Sequence, residues 1–444
     1  MGIIFHGKRK LTSFQIICLG FTGVILIGAL LLMLPMSSQN GTVTPFTDAL
    51  FTSTSAVCVT GLVVYDTATY WSGFGQCVIL LLIQIGGMGV ITVAASFAMI
   101  AGRKISLKQR STMQEAISAP KVGGIVRLTG FIVRVTLLIE LLGAAVMAPV
   151  LCRDFGVKGL WMALFHSISA FCNAGFDLMG AKAPFSSLTS YSAEPVTNLT
   201  IMLLIIVGGI GFLTWDDVRT NRLHFSKYRM QSKVILCTTA FLVTVPAIYF
   251  FFFEFSFLAP GERVLSSLFQ SVTPRTAGFN TADLTALSEA GQTVTIVLML
   301  IGGSPGSTAG GMKTTTIAVL FATAISTFSR KEHTHFFGRR IEDDVIKNAA
   351  TILLMYLLLF LFGGLLISRI ENLPMLTCLF ETASAVGTVG LSLGITPSLG
   401  IVSRVILIIL MFFGRVGGLT LINAALSGTQ KNVAKLPREK ITVG

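Results

Sequence analysis

Apolar residues run along this chain in separated blocks of roughly 20 residues, each about long enough to cross a ~30 Å hydrocarbon core as a helix. The blocks predict long helices over 13–35, 74–101, 125–150, 196–215, 234–254, 292–328, 345–368 and 399–426. Eight crossings put both chain ends on one side. Segment 1–10 is basic, but the block behind it is too long for a signal peptide and has no small-residue cleavage site, so it is expected to be a retained helix.

Of 444 residues, 53% are hydrophobic and 12% charged, against about 25% charged in an ordinary soluble domain. This excludes a soluble multidomain enzyme in favour of an all-α polytopic membrane protein. The net charge of +13 does not point to nucleic acid, because it is unevenly placed. Of the 33 Lys and Arg residues, 23 fall on the side of the termini and seven on the other. That bias puts both termini in the cytoplasm and the chain in the cell (plasma) membrane. The seven cysteines form no C-x-x-C pair and lie mostly in apolar blocks, so they are given no redox or metal role.

The most informative feature is a fourfold internal repeat. Between paired crossings lie stretches too short to span, each carrying Leu-Phe-x-(Ser/Thr)-x-(Ser/Thr) from Leu50, Leu164, Leu268 and Leu379. Each is followed by a Gly-Leu or Gly-Phe pair at Gly61, Gly175, Gly278 and Gly390, spaced by 114, 103 and 112 residues. The third copy is one residue shorter and carries Pro274-Arg275. The second long helix repeats as well, as Gly86-Gly87-Met88-Gly89, Gly208-Gly209-Ile210-Gly211, Gly302-Gly303-Ser304-Pro305 and Gly414-Arg415-Val416-Gly417. Glycines 86 to 89 read as helix-packing residues. The expected architecture is four tandem helix–pore-helix–helix repeats around a central pore with pseudo-fourfold symmetry. They cover 11–101, 125–219, 232–328 and 345–428, with a cytoplasmic tail over 429–444.

Non-helical backbone at membrane depth is tolerated only where protein shields it or a water-filled cavity adjoins it. Four such turns around one axis would shield one another and enclose a pore. Short helices entering from outside would point their partly negative C-terminal ends inward, favouring a cation. Glycine at the turn lets carbonyl oxygens face the axis, where rings of them can replace the hydration shell of an alkali cation.

This plan, with Thr388-Val389-Gly390 and the run Cys58–Asp66, resembles the TrkH/TrkG/KtrB/HKT superfamily of potassium transporters, and within it the KtrB membrane subunits of bacterial Ktr systems. The resemblance covers residues 11 to 428 and implies potassium uptake, with K+ as transported ion and no organic cofactor. It implies ion binding by the carbonyls of Val59-Thr60-Gly61, Asn173-Ala174-Gly175, Thr276-Ala277-Gly278 and Thr388-Val389-Gly390. It also implies a homodimer docked on a cytoplasmic KtrA-like ring of nucleotide-binding regulatory subunits. Basic loops 103–110, 219–233 and 330–340 are the candidate docking face.

The segment Gly302-Gly303-Ser304-Pro305-Gly306-Ser307-Thr308-Ala309-Gly310-Gly311-Met312-Lys313 has too many glycines and a proline to be a stable helix. It is not a phosphate loop, since Met312 separates Gly311 from Lys313 and no strand precedes it. The resemblance implies an intramembrane gating loop. Arg415 stands where the first two copies have Gly87 and Gly209. A charge at that depth either pairs structurally with a carbonyl or carboxylate, or holds the gate loop and sets an ion barrier. Arg134 and Glu140 receive no role, and Phe250 to Phe253 with Phe255 read as a lipid-facing or interfacial run. An alternating-access cation transporter is the competing class. Four turns in the same orientation favour a pore over two rocking inverted halves, and no H-E-x-x-H metalloprotease motif suggests an enzyme.

Overall fold

The computed structural model describes residues 12–101, 105–117, 123–222, 224–417 and 420. The basic segment 1–10, the adjacent Arg103 and Lys104, the end of the fourth repeat beyond Thr420 and the tail 429–444 lie outside the described residues.

Four long helices, Ser13–Leu32, Ile125–Phe155, Met230–Tyr249 and Asp343–Glu371, each open one repeat. Those four are apolar and long enough to cross a membrane, the third continuing through a π-turn to Glu254. The first is fixed at its start by Thr12, whose hydroxyl caps the Gln15 amide while the Gln15 side chain caps Thr12 in return. Leu26, Ile27, Leu30, Leu138, Leu141, Leu361 and Leu365 remain exposed on these helices, as residues facing lipid should. Phe252 and Phe253 are exposed in the same way, whereas Phe250 and Phe255 are buried.

Each long helix is followed by a short one: Phe46–Val57, Lys158–Phe171, Pro260–Val272 and Met375–Gly387. These four form the centre of the molecule. The motif phenylalanines Phe51, Phe165, Phe269 and Phe380 are all fully buried, and so are Leu62, Phe176, Phe279 and Leu391 just beyond the turns. The first motif hydroxyl ties the short helix to the long one in three copies, Ser53 donating to Ile25 O (2.7 Å), Ser167 to Glu140 O (2.6 Å) and Thr382 to Phe360 O (3.3 Å). Glycines at the contact make room: a Cβ on Gly28 or Gly143 would lie 2.4 or 2.5 Å from the facing serine Oγ.

The second helices depart from the expected continuous spans: the first three are interrupted, and the described part of the fourth ends at a glycine. Gly73–Met88 and Val90–Ile100 meet at a 95° bend, as do Pro195–Gly209 and Phe212–Asn221. Gly89 and Gly211 supply the break with φ of 86° and 93°, and Gly417 ends Ile401–Val416 with φ of 86°. Side-chain-bearing residues avoid that backbone, so the last glycine of the pattern is a hinge rather than a packing residue. Gly86, Gly208 and Gly414 do pack, against Val57 O, Phe171 O and Val386 O at the ends of the short helices. In the third copy Glu289–Leu300 and Thr314–Phe328 are separated by the whole loop 302–313.

Candidate ion pathway

Each short helix runs straight into its turn. Val59, Asn173, Thr276 and Thr388 have left-handed φ of 52°, 56°, 63° and 52°, and the glycines two residues on have φ of 93°, 70°, 77° and 93°. Alternating hands along three residues turn successive carbonyls to one side, which is how bare backbone presents a file of oxygens. Left-handed φ is costly for β-branched Val59, Thr276 and Thr388, so their surroundings must enforce it.

The second motif hydroxyl and its backbone do so. Thr60 N, Ala174 N and Val389 N donate to the carbonyls of Ser55, Ser169 and Ser384, each at 2.8 Å. The shorter third copy makes the same closure one residue sooner, Ala277 N to Thr273 O at 3.0 Å, so the missing residue is absorbed before the turn. Ser55 and Ser384 hydroxyls accept from Gly61 N (3.1 Å) and Gly390 N (2.9 Å). Ser169 donates to Phe176 O (2.7 Å), and Thr273 donates to Phe279 O.

The turns then interlock. A Cβ placed on Gly61 would lie 2.6 Å from Ala174 O, on Gly175 2.8 Å from Ala277 O, on Gly278 2.5 Å from Val389 O, and on Gly390 2.1 Å from Thr60 O. Each glycine therefore faces the middle carbonyl of the next repeat, and the fourth returns to the first. Four turns with identical handedness in a closed cycle form a ring. Its glycines line one cavity of about 410 Å³, together with Asp66, Asp177 and Asp283. Burial pushes the Asp177 carboxyl up to about 7, an effect the Met179 amide opposes and the nearby charge of Asp66 reinforces. Outside the ring, Arg404 of the fourth repeat pairs with Asp48 of the first, and Tyr65 donates to the same carboxylate at 2.7 Å.

The loop 302–313 lies against the other side of the ring. Gly310 abuts the Thr388 side chain, Gly311 abuts Gly387 O, and the Thr308 hydroxyl is 2.8 Å from Asn173 Oδ1. Gly302 N bonds Met312 O (2.8 Å) to close the loop's base, Ser304 N bonds Gly209 O (3.0 Å), and Gly311 N bonds Gly414 O (3.1 Å). Lys313 Nζ turns back to Ala309 O (2.9 Å) and Gly310 O (3.3 Å). The Arg415 guanidinium donates to Thr308 O, Gly86 O and Gly87 O, so its partners are carbonyls. Two of these belong to the last turn of Gly73–Met88, the partly negative end of a helix. A second cavity of about 310 Å³, lined by Ala309, Gly311, Met312, Lys313 and Arg415, lies beyond the loop and shares no lining residue with the first.

Sequence reasoning passed over several residues. The variable position of Leu-Phe-x holds His166 and Glu381, which anchor the chain just past the ring. His166 accepts from Leu178 N (3.1 Å) and faces Met162 O (2.6 Å), while Glu381 accepts from the Ser392 and Thr396 hydroxyls. A polar residue at that position in every copy of an apolar helix was the available signal. Glu140 is buried and accepts from the Gln84 amide at 3.1 Å. The Thr276 and Thr388 hydroxyls are buried without a hydrogen-bond partner beside the turns, which leaves both oxygens available to a cation.

Known proteins share this arrangement. The TrkH family of cation transport proteins matches residues 8–433. The potassium/sodium uptake protein NtpJ of Enterococcus hirae is 38% identical over 98% of both chains. The Ktr system potassium uptake protein B of Bacillus subtilis is 40% identical over 96% of this chain and 95% of its own. The crystal structure of the potassium transporter TrkH from Vibrio parahaemolyticus shares the fold, with a TM-score of 0.72, 21% identity, and coverage of 94% of this chain and 85% of that one. Family and fold thus agree over nearly the whole length, and the chain belongs to the TrkH family of cation transport proteins, a multi-pass membrane transporter and not an enzyme.

Proposed function

We propose that this chain is the ion-conducting subunit of a potassium uptake system, passing K+ through the carbonyl ring under the control of the loop beneath it. The closed cycle of glycine-to-carbonyl contacts carries the reading, because only a ring can surround a bare cation with oxygens in place of water. The inward C-terminal ends of four short helices and the acidic residues of the mouth favour a cation there. Relatives named for potassium and for potassium/sodium uptake support an alkali cation as cargo. The loop stands between two cavities, bonded into its place, with the Arg415 guanidinium and the Lys313 amine beside it; this is a closed gate that Arg415 latches.

The basic loops put both termini in the cytoplasm and provide the docking face for a KtrA-like ring on a homodimer. Relatives named as the B and D proteins of Ktr systems support a partner of that kind. Recording from the purified protein in a planar bilayer tests the conduction mode. The expected outcome is resolved single-channel K+ current; slow transport without unitary current would favour alternating access.

A further inference from the structure

We infer that Thr308 makes the selectivity of the ring depend on the position of the loop, acting as a positioning residue through Asn173. The inference rests on the filter reading above. Thr308 belongs to the third repeat, yet its backbone and hydroxyl reach the second and fourth directly, and the first through Arg415. Its N–H donates to Gly208 O of the second repeat at 3.3 Å. Its carbonyl accepts from Arg415 of the fourth, which also holds Gly86 and Gly87 of the first. Its hydroxyl lies 3.1 Å from Phe171 O and 2.8 Å from Asn173 Oδ1.

Asn173 is fully buried and stands at the left-handed position of the second turn. Its amide nitrogen faces Arg275 O (3.1 Å) and Ile205 O (3.4 Å), both acceptors. Its oxygen must then face a donor, and Thr308 supplies it. One connection therefore runs from the loop hydroxyl through the Asn173 amide to the backbone of Arg275, immediately before the third turn. Val59, Thr276 and Thr388 occupy the same position in the other copies, and none of them makes a side-chain hydrogen bond to the loop. A second contact is independent of this one: a Cβ on Gly310 would lie 2.1 Å from Thr388 Oγ1. The closed loop thus props the second and fourth turns, which stand opposite each other in the cycle. When the loop withdraws, Asn173 loses the donor that orients its amide, and the hold on Arg275 O weakens.

The test is the ratio of K+ to Na+ affinity of the ring with the loop seated, read from the thermal stabilisation each ion gives the purified full-length protein. Thr308→Val keeps the side-chain volume and removes the donor, and should lower the ratio by about fivefold, the effect of one ordinary hydrogen bond. Thr308→Ser keeps the hydroxyl and should keep the ratio. Gly310→Ala should lower it by displacing the loop from Thr388, and it is read in place of Thr308→Val if that variant is not recovered folded. Gly390→Ser serves as the filter control. An unchanged ratio in the loop variants beside a lowered one in Gly390→Ser overturns the inference and leaves the filter reading intact. An unchanged ratio in all of them overturns both. A fall in Thr308→Ser equal to that in Thr308→Val also overturns the inference, because the hydroxyl would then not be what matters.

Discussion

The four turns and the four helix breaks are both glycine-rich backbone held at the centre of one molecule, yet they obey different symmetry. The turns repeat faithfully: left-handed φ at the same two positions in all four copies, and a deletion in the third absorbed before the turn begins. At the breaks, a single glycine with φ near 90° ends the helix in three copies, whereas the third expands into the loop 302–313. Coordination of an ion on an axis needs every side, so all four turns are constrained together. Blocking that axis needs only one obstacle, so one repeat can diverge without disturbing the ring. On the proposed reading, the asymmetry in the sequence marks the part that regulates.

This contrast can be broken from the gate side first. Deleting 304–309 should produce the largest change in flux, raising K+ uptake about tenfold and making it less dependent on a regulatory ring, because the obstacle beneath the turns is removed. Flux into liposomes with and without the ring checks it, and loss of flux in a folded protein would leave the segment as a structural hinge. Arg415→Ala should act in the same direction more weakly, about threefold, since Ser304, Thr308 and Gly311 still hold the loop through backbone bonds. The same variant should lower the melting temperature, because Thr308 O and Gly87 O lose their charged donor and each unmet group costs about 1–3 kcal/mol, while Gly86 O keeps the Gly89 amide.

The mouth offers the smallest effect. With its pKa raised to about 7, Asp177 is charged above that pH and neutral below it. At low ionic strength, uptake should fall by less than about twofold as pH on the mouth side drops from about 8 to about 6. Asp177→Asn should remove that slope and hold uptake near its acid level. A slope that survives the substitution would assign the titration to another group.

Much of the ring was legible in the chain because its determinants are local. The Leu-Phe-x-(Ser/Thr)-x-(Ser/Thr) helix, the turn and the glycine lie within a dozen residues, and their hydroxyls bond backbone six or seven positions away. What could not be read joins distant positions. The Asp48–Arg404 pair spans 356 residues, and the bond between Arg415 and Gly86 spans 329. Nothing near Arg415 in the chain chooses between a carbonyl and a carboxylate partner. The helix breaks failed for a different reason: a glycine that packs and a glycine that bends look alike until its φ is known, and Gly86 and Gly89 do one each. Glu140 seemed isolated because Gln84, its partner, comes from the preceding repeat.

The central claim is that four interlocked turns select the ion, and the most direct test is the K+ over Na+ uptake ratio of Gly390→Ser and Gly278→Ser against the unaltered protein in liposomes. A side chain on Gly390 would drive into Thr60 O and one on Gly278 into Val389 O, so either substitution must spread the ring. Both variants are expected to lose at least about tenfold in the ratio while still passing cations, as a filter with displaced carbonyls should. Folded variants that keep the full K+ preference would contradict the account.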